Sequence, residues 1–448
     1  MPFTFINFTN KKSTLIQNEF SYESFQIFAI ILIALQLALF CFKINDNFYG
    51  SDFGNYWQGA QSILTGSVYS THGSNLVPDS FRPFSYPLVL AIFIFIFNQN
   101  YQFYLIGFQA FLCLLMLILT FNLLKKINLL NTKSIIIVTI LFSHPTWLYI
   151  ATQMQCDIFV AYFAFLYIYF IVNFYNTRKS KDLYIAVIMI SVSLYFRPFY
   201  LYFIPLIIIS IAIWGRTKSA IIAALIFLII TTPWIARNKI VLDSYKFSML
   251  GEIALAYIAG DTIRHAQGMD QNEAYYYILR ESGVGENFEN SKENPDIYKK
   301  LNRYSINVII QNPIFFVQAT GRGLIRVFIM PHEIYKLQEN TTIPVDKFID
   351  KIRKKPMELL LNVNIYFIYL YILPILINIF VLLNIAIFIF KISIWRPKNL
   401  CIVLTALSIF FYGLILPGAI NKSHYISLYY LSVILIVVFT MNRFGERI

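Results

Sequence analysis

The sequence predicts an all-α polytopic membrane protein, and composition, apolar runs and the placing of cations all point that way. The 448 residues are 58% hydrophobic and 18% aromatic but only 13% charged, where soluble domains carry roughly a quarter charged residues. Mean hydropathy is +0.62. Runs such as Ile27–Phe42, Ala220–Trp234 and Ile365–Phe390 approach or exceed the roughly 20 residues that cross a bilayer core. Lys and Arg gather in short connections (Lys125–Lys126, Arg178–Lys181, Arg216–Lys218, Lys391–Lys398, Arg443–Arg447), the pattern of cytoplasmic loops. The net charge of +13 therefore needs no nucleic-acid partner, because the cations do not collect on one soluble face.

Taken in order, Ser24–Phe42 is the first span, and no short apolar segment with a cleavage site precedes it, so it is expected to be retained. Ser85–Phe97 is a short span and Tyr101–Leu124 a full one. Ser134–Ile150 is short and ends in polar residues; Ile158–Phe174 follows. Leu183–Trp214 is too long for one crossing and is interrupted at Arg197-Pro198. Ser219–Ile235 leads to a long, mostly polar segment, and Leu359–Phe390, Leu400–Leu416 and Tyr425–Met441 close the chain. The total is about ten or eleven crossings. Three regions result: 1–235, with a first external loop at 44–85; a large external loop at 236–357 with amphipathic helices, among them Asp346–Lys355; and C-terminal spans at 358–448.

Lys11 and Lys12 favour a cytoplasmic N-terminus. Counting spans forward then puts Lys125–Lys133 outside, against the charge rule, whereas counting back from Arg178 and Arg216 puts Asp157 outside. Both counts agree if Ser134–Gln155 dips into the membrane and returns, and His144-Pro145 with Thr152-Gln153 suits such a broken element. On that reading Asp52, Arg82, Asp157, Arg197, Arg237 and the 236–357 segment all face outward. Ionisable residues at membrane edges mark candidate sites. Arg grips phosphate oxygens with paired charge-assisted hydrogen bonds, and a carboxylate can take a proton from an acceptor hydroxyl.

The stretch from Ser51 to Tyr69 (SDFGNYWQGAQSILTGSVY), followed by Arg82–Ala91 (RPFSYPLVLA), resembles the first external loop of GT-C membrane glycosyltransferases. Protein mannosyltransferases, aminoarabinose transferases and lipopolysaccharide-core transferases share this layout. Tyr195–Pro198, Thr232–Asn238 (TPWIARN), and Gln311-Asn312-Pro313 with Arg322, Arg326 and Pro331-His332 resemble later family motifs, so the likeness extends to about residue 335. It implies juxtamembrane helices in the first external loop and a polyprenyl-phosphate-sugar donor. It also implies a lipid, glycan or protein acceptor, inversion at the anomeric carbon, and an extracytoplasmic site in the inner (plasma) membrane. Asp52 matches the catalytic acid position as general base and Asp157 a second acidic position. Arg82, Tyr56, Tyr86, Arg197, Arg237 and His332 are the expected substrate-binding set. Many relatives carry Asp-Glu where this chain has Asp52-Phe53, which puts a metal role at the pair in doubt; a divalent cation stays an open expectation.

Other readings stand beside these. Asp52 could cap a helix starting at Phe53; Asp157 could be a buried hydrogen-bonded partner; Arg82, Arg197 and Arg237 could be interfacial anchors; Asp79 reads as a turn residue. Cys41, Cys113, Cys156 and Cys401 have no metal-ligand spacing and read as small core residues. No P-loop, GxGxxG, CxxC or HExxH occurs. A transporter or flippase of lipid-linked glycans, or a glycan polymerase or ligase, is the alternative function, though no internal repeat supports a two-halved transporter.

Overall fold

The computed structural model describes residues 9–43, 49, 52–71, 78, 82–213, 216–285, 295–329, 373–395, 434 and 436–438. Helices α1 (Thr9–Lys43), α2 (Phe53–Thr65), α3 (Ser85–Phe97), α4 (Tyr101–Lys126), α5 (Thr132–Phe142), α6 (Pro145–Thr152), α7 (Asp157–Thr177), α8 (Ser180–Ser193), α9 (Phe203–Ile213) and α10 (Thr217–Leu242) form one bundle. α11 (Leu250–Gln267), α12 (Gln271–Glu281), α13 (Pro295–Gln311) and α14 (Pro313–Ile329) follow, and α15 (Leu373–Trp395) contacts α14. Among the described residues there is no strand longer than the single bridge between Tyr49 and Met154. The all-α expectation holds. Among the described residues, four segments of helix are long and apolar enough to cross a membrane. Large apolar side chains such as Phe28, Leu39, Phe95, Phe103 and Ile229 stand exposed around them, the lipid-facing surface of a multi-pass membrane protein.

The direction of each helix can be read from its contacts. Phe108 of α4 packs on Phe159 of α7, with ring centroids 6.1 Å apart. Further along, the Lys126 ammonium donates to Tyr169 and Asn173 of α7 at 2.6 and 2.9 Å. Both helices advance the same way, so they are parallel and the chain must return between them. α5 and α6 are that return: at about 1.5 Å per residue Thr132–Thr152 covers roughly 30 Å, the thickness of a hydrocarbon core. Lys133 and Asp157 thus lie at opposite ends of the bundle. The expected re-entrant element at Ser134–Gln155 is not what forms. His144-Pro145 does break the helix, but the two pieces continue in one direction.

The element that fails to cross is α3. Its 13 residues reach only about 20 Å, and it folds back antiparallel on the start of α4. Tyr86 bonds Gln109, Phe93 packs on Phe108, and Phe97 stacks on Tyr104. Its first turn meets Tyr56 of α2, and beyond its last turn Tyr101 meets Trp57 of α2. Both ends sit in one half of the bundle, so α2 and α3 are the juxtamembrane pair, and the short span expected at Ser85–Phe97 is corrected. With α3 removed from the count, Lys125, Lys126, Arg178 and Arg216 fall at one end, as Lys126 on Tyr169 and Arg216 over the Phe174 ring show directly.

The break expected at Arg197-Pro198 is present. α8 ends at Ser193, a short 3-10 turn runs Pro198–Tyr200, and α9 starts at Phe203. α10 continues seven residues past the expected boundary at Ile235, to Leu242, with Pro233 inside it. Pro233 lacks the amide that would bond into the preceding turn, and the Tyr195 hydroxyl donates to the Ile230 carbonyl in that turn. α11–α13 build a second apolar core from Ile253, Ala256, Ile263, Ile278, Tyr298 and Leu301. The segment after α10 is therefore a helical lobe and more than a solvated connector. Asp270 and Glu273 form a capping box at the start of α12. The Asp346–Lys355 helix, Leu400–Leu416 and most of Tyr425–Met441 lie outside the described residues.

Candidate active site

Four charged side chains meet at the end of the bundle opposite the basic connections. Asp52 directly precedes α2, three residues after Tyr49, whose backbone bridges Met154; this ties the first loop to the turn ahead of α7. Asp52 occupies the N-cap position but makes no side-chain cap bond. The capping alternative is thereby set aside, because its carboxylate points to two cations instead. Arg82 reaches one oxygen, with Nη2 to Oδ1 at 2.8 Å, and Arg197 the other, with Nη2 to Oδ2 at 2.9 Å. Arg197 also donates from Nη1 to Asp157 Oδ1 at 2.9 Å. Side-chain exposure is 13% for Asp52, 7% for Arg82, 6% for Arg197 and nil for Asp157.

Local sequence places each group. Pro198 excludes the helical region for the residue before it, so Arg197 is extended (φ −154°, ψ 127°) and its side chain leaves the line of α8. Asp157 is the first residue of α7, where the helix dipole and open amides favour a negative charge. Arg82 precedes α3, and the Tyr69 hydroxyl donates to the carbonyls of Arg82 and Pro83 at 3.2 and 3.3 Å. Gly59 lets α3 close on α2: a Cβ there would sit 3.0 Å from Pro87.

Tyr56 and Tyr86, expected to touch substrate, are fully buried and lie behind the charges. The Tyr56 hydroxyl accepts from Arg82 Nη1 at 3.1 Å and bonds the Cys156 sulfur at 2.9 Å, while the Arg82 guanidinium sits over the Tyr56 ring, 4.9 Å from its centroid. Tyr86 meets Tyr56 edge-on at 4.7 Å and donates to Gln109 Oε1 at 3.1 Å. Gln109 in turn donates to the Gln153 carbonyl at 2.5 Å. With no exposed ring face, both tyrosines serve the site by fixing Arg82 and the turn before Asp157. Burial pushes the Tyr56 phenol well above its usual range and the Cys156 thiol up to about 11, so both stay protonated. Burial, the largest single influence, would lower the Arg82 pKa, but the Asp52 charge acting together with Tyr56 and Cys156 outweighs it and raises it, so Arg82 stays a cation.

Arg237 does not join the four charges. It lies against Trp234 and Tyr69, 4.9 and 5.8 Å from the ring centroids, and donates to the Tyr69 carbonyl at 3.3 Å. It supports the loop that holds Arg82. Trp234 and Asn238 beside it donate to the Phe247 and Lys246 carbonyls, each at 2.8 Å, which fixes the start of the second lobe. Arg322 pairs with His265 at 2.9 Å in that lobe. His332 and Asp79 lie outside the described residues, as does the Arg326 side chain.

Two participants escaped sequence reading. Cys156 reads as a core thiol until its contact with Tyr56 is seen. Gln109 had a usable signal, a lone amide inside the apolar run Tyr101–Leu124. For a metal ion, no group of three or more His, Cys, Asp or Glu occurs among the described residues, and both carboxylates of the cluster already face guanidinium groups.

Fold and site together define a multi-pass membrane protein with a compensated charge cluster set at one end of a helical bundle. Residues 81–237, roughly a third of the chain, match the family model described as Dolichyl-phosphate-mannose-protein mannosyltransferase, of the GT-C type. The match supports a membrane glycosyltransferase of that type with a lipid-linked sugar donor. It takes in Arg82, Asp157, Arg197 and Arg237; Asp52 lies ahead of it, and the motifs near residues 311–332 lie beyond it. No curated protein and no solved structure matches the chain.

Proposed function

We propose that the protein transfers a sugar from a polyprenyl-phosphate donor to a hydroxyl on a lipid, glycan or protein acceptor, at the extracytoplasmic face of the inner (plasma) membrane. The observation that carries this is Asp52, a carboxylate open to solvent on one side and held between Arg82 and Arg197 at the end of the bundle away from the basic connections. Basic connections stay on the cytoplasmic side, which supports an outward-facing site.

In the proposed reaction the acceptor O–H gives its proton to Asp52 as the oxygen attacks the anomeric carbon. The bond from that carbon to the phosphate oxygen breaks, and polyprenyl phosphate leaves with the electron pair. Arg82 and Arg197 neutralise the charge growing on the phosphate. A single displacement inverts the anomeric centre. Asp157 holds Arg197 and does not itself meet the acceptor. A divalent cation is not needed for this charge balance.

A transport path would spread ionisable groups along the spans. Among the described residues the buried charged side chains are Arg82, Asp157 and Arg197, all at one end, which favours transfer over transport. The test is purified Asp52→Asn protein with a labelled polyprenyl-phosphate sugar and a hydroxyl acceptor. Transfer is expected to fall at least a hundredfold; wild-type rates in the variant would remove Asp52 as the base.

A further inference from the structure

We propose that the donor's phosphate binds in the place now taken by the Asp52 carboxylate, so that the base is released only when the donor is bound. This rests on the transfer reading above and adds where the phosphate sits and in which order the substrates bind.

The two guanidinium groups form a fork whose inner tips both point at Asp52. The Nη2 atoms of Arg82 and Arg197 take one carboxylate oxygen each, at 2.8 and 2.9 Å. Their Nη1 atoms are held from behind by different residues: Arg82 by the Tyr56 hydroxyl at 3.1 Å, Arg197 by Asp157 at 2.9 Å. The fork therefore does not depend on Asp52 for its shape. A carboxylate and a phosphodiester each offer two oxygens to such a pair of donors, so one can take the other's place.

Asp52 is also the group of the four best able to leave. It is the most exposed of them. It stands at the start of α2 without a cap bond, between Gly50 and Gly54 in sequence, and a Cβ at Gly54 would meet nothing within 4 Å. Two arginines and two aspartates balance to zero charge. An arriving phosphodiester brings one further negative charge, and the oxygens nearest to it are those of Asp52. Repulsion between them and competition for the same Nη2 donors act in the same direction. While clamped, Asp52 turns both oxygens to cations; once displaced, it can face an acceptor hydroxyl. The donor thus binds first and prepares the base for the second substrate.

Affinity for polyprenyl monophosphate separates this from a merely adjacent phosphate site. Full-length wild type, Asp52→Asn and Asp157→Asn would be compared in nanodiscs of phosphatidylcholine, with inorganic phosphate as a second probe. Asp52→Asn is expected to bind the lipid phosphate at least tenfold tighter than wild type, and tighter than Asp157→Asn, which removes the same charge without vacating the fork. Equal tightening in both variants, unchanged or weaker binding in Asp52→Asn, or tightening for inorganic phosphate alone would overturn the proposal. A second measurement uses wild type only, so folding of the variant is not at issue. Carbodiimide coupling of an amine to Asp52, read by peptide mass spectrometry, should rise several-fold on adding polyprenyl monophosphate, and no rise would also overturn it. Tighter binding in Asp52→Asn with no sugar transfer by wild type would keep the fork and remove the transferase reading; transfer by wild type with unaltered affinity in the variant would do the reverse.

Discussion

Replacing Arg197 by Gln should damage the fold more than the same change at Arg82, and a second change at Asp157 should undo much of the damage. Asp157 is fully buried and its ion pair runs to Arg197. At a charge separation of about 4 Å and an effective dielectric near 20, such a pair attracts by roughly 4 kcal/mol. Removing one member of a buried pair costs about 3–5 kcal/mol, because the other is left charged and unsolvated. Arg197→Gln is therefore expected to cost about 4 kcal/mol. Arg82→Gln leaves Asp52 with Arg197 and with some exposure to solvent, so its cost should stay near 1–3 kcal/mol. Asp157→Asn in the Arg197→Gln background removes the stranded charge and should return about 2 kcal/mol or more. The assay is a double-mutant cycle on purified, monodisperse protein, with unfolding followed by tryptophan fluorescence in a detergent titration. Identical midpoints for Arg197→Gln and the double variant, or a larger loss for Arg82→Gln, would refute the reasoning.

Two further outcomes follow from the same contacts. Tyr56→Phe removes the bond that holds Arg82 from behind, so KM for the donor should rise about tenfold with kcat changed far less; an equal fall in kcat with KM unchanged would speak against a positioning role. Single cysteines placed at Lys133 and at the exposed Asp243 should react with a membrane-impermeant maleimide from opposite sides of the membrane, and labelling from one side would restore the re-entrant reading of Ser134–Gln155.

The elements easiest to read from sequence were those whose signal is local. Apolar length gives α1, α4, α7 and α10 without tertiary information. Pro198 gives the break at Arg197, since proline restricts the residue before it. Asp52, Arg82, Asp157 and Arg197 were all singled out by one rule, charge at a membrane edge. Their pairing was not legible, because Asp52 and Arg197 are 145 positions apart and only packing brings them together. The same limit explains the topology. α3 and α5 are both short and apolar, and sequence offered no reason to prefer either as the element that does not cross. The decision lies in α4 running parallel to α7, a relation between helices that no single segment records. Tyr56 and Tyr86 show a different limit: an aromatic near a charge fits a sugar platform or a buried support equally well in sequence, and only packing shows that both are buried.

The cluster is hard to explain as a stabilising device. Replacing a buried ion network with apolar residues of similar volume is often neutral or favourable for stability, and the surroundings here (Phe84, Phe159, Phe196, Tyr195) would suit apolar groups. Holding four charges at this place instead takes a proline-extended arginine, a helix N-terminus under Asp157, a glycine contact between α2 and α3, and a buried Tyr56–Cys156 support. Each of these devices fixes a guanidinium or its partner. A network built for strength would bury every member. One whose most exposed member, Asp52, sits at the solvent edge without a cap bond is arranged for that member to change partners, which is the behaviour a proton acceptor beside a phosphate requires.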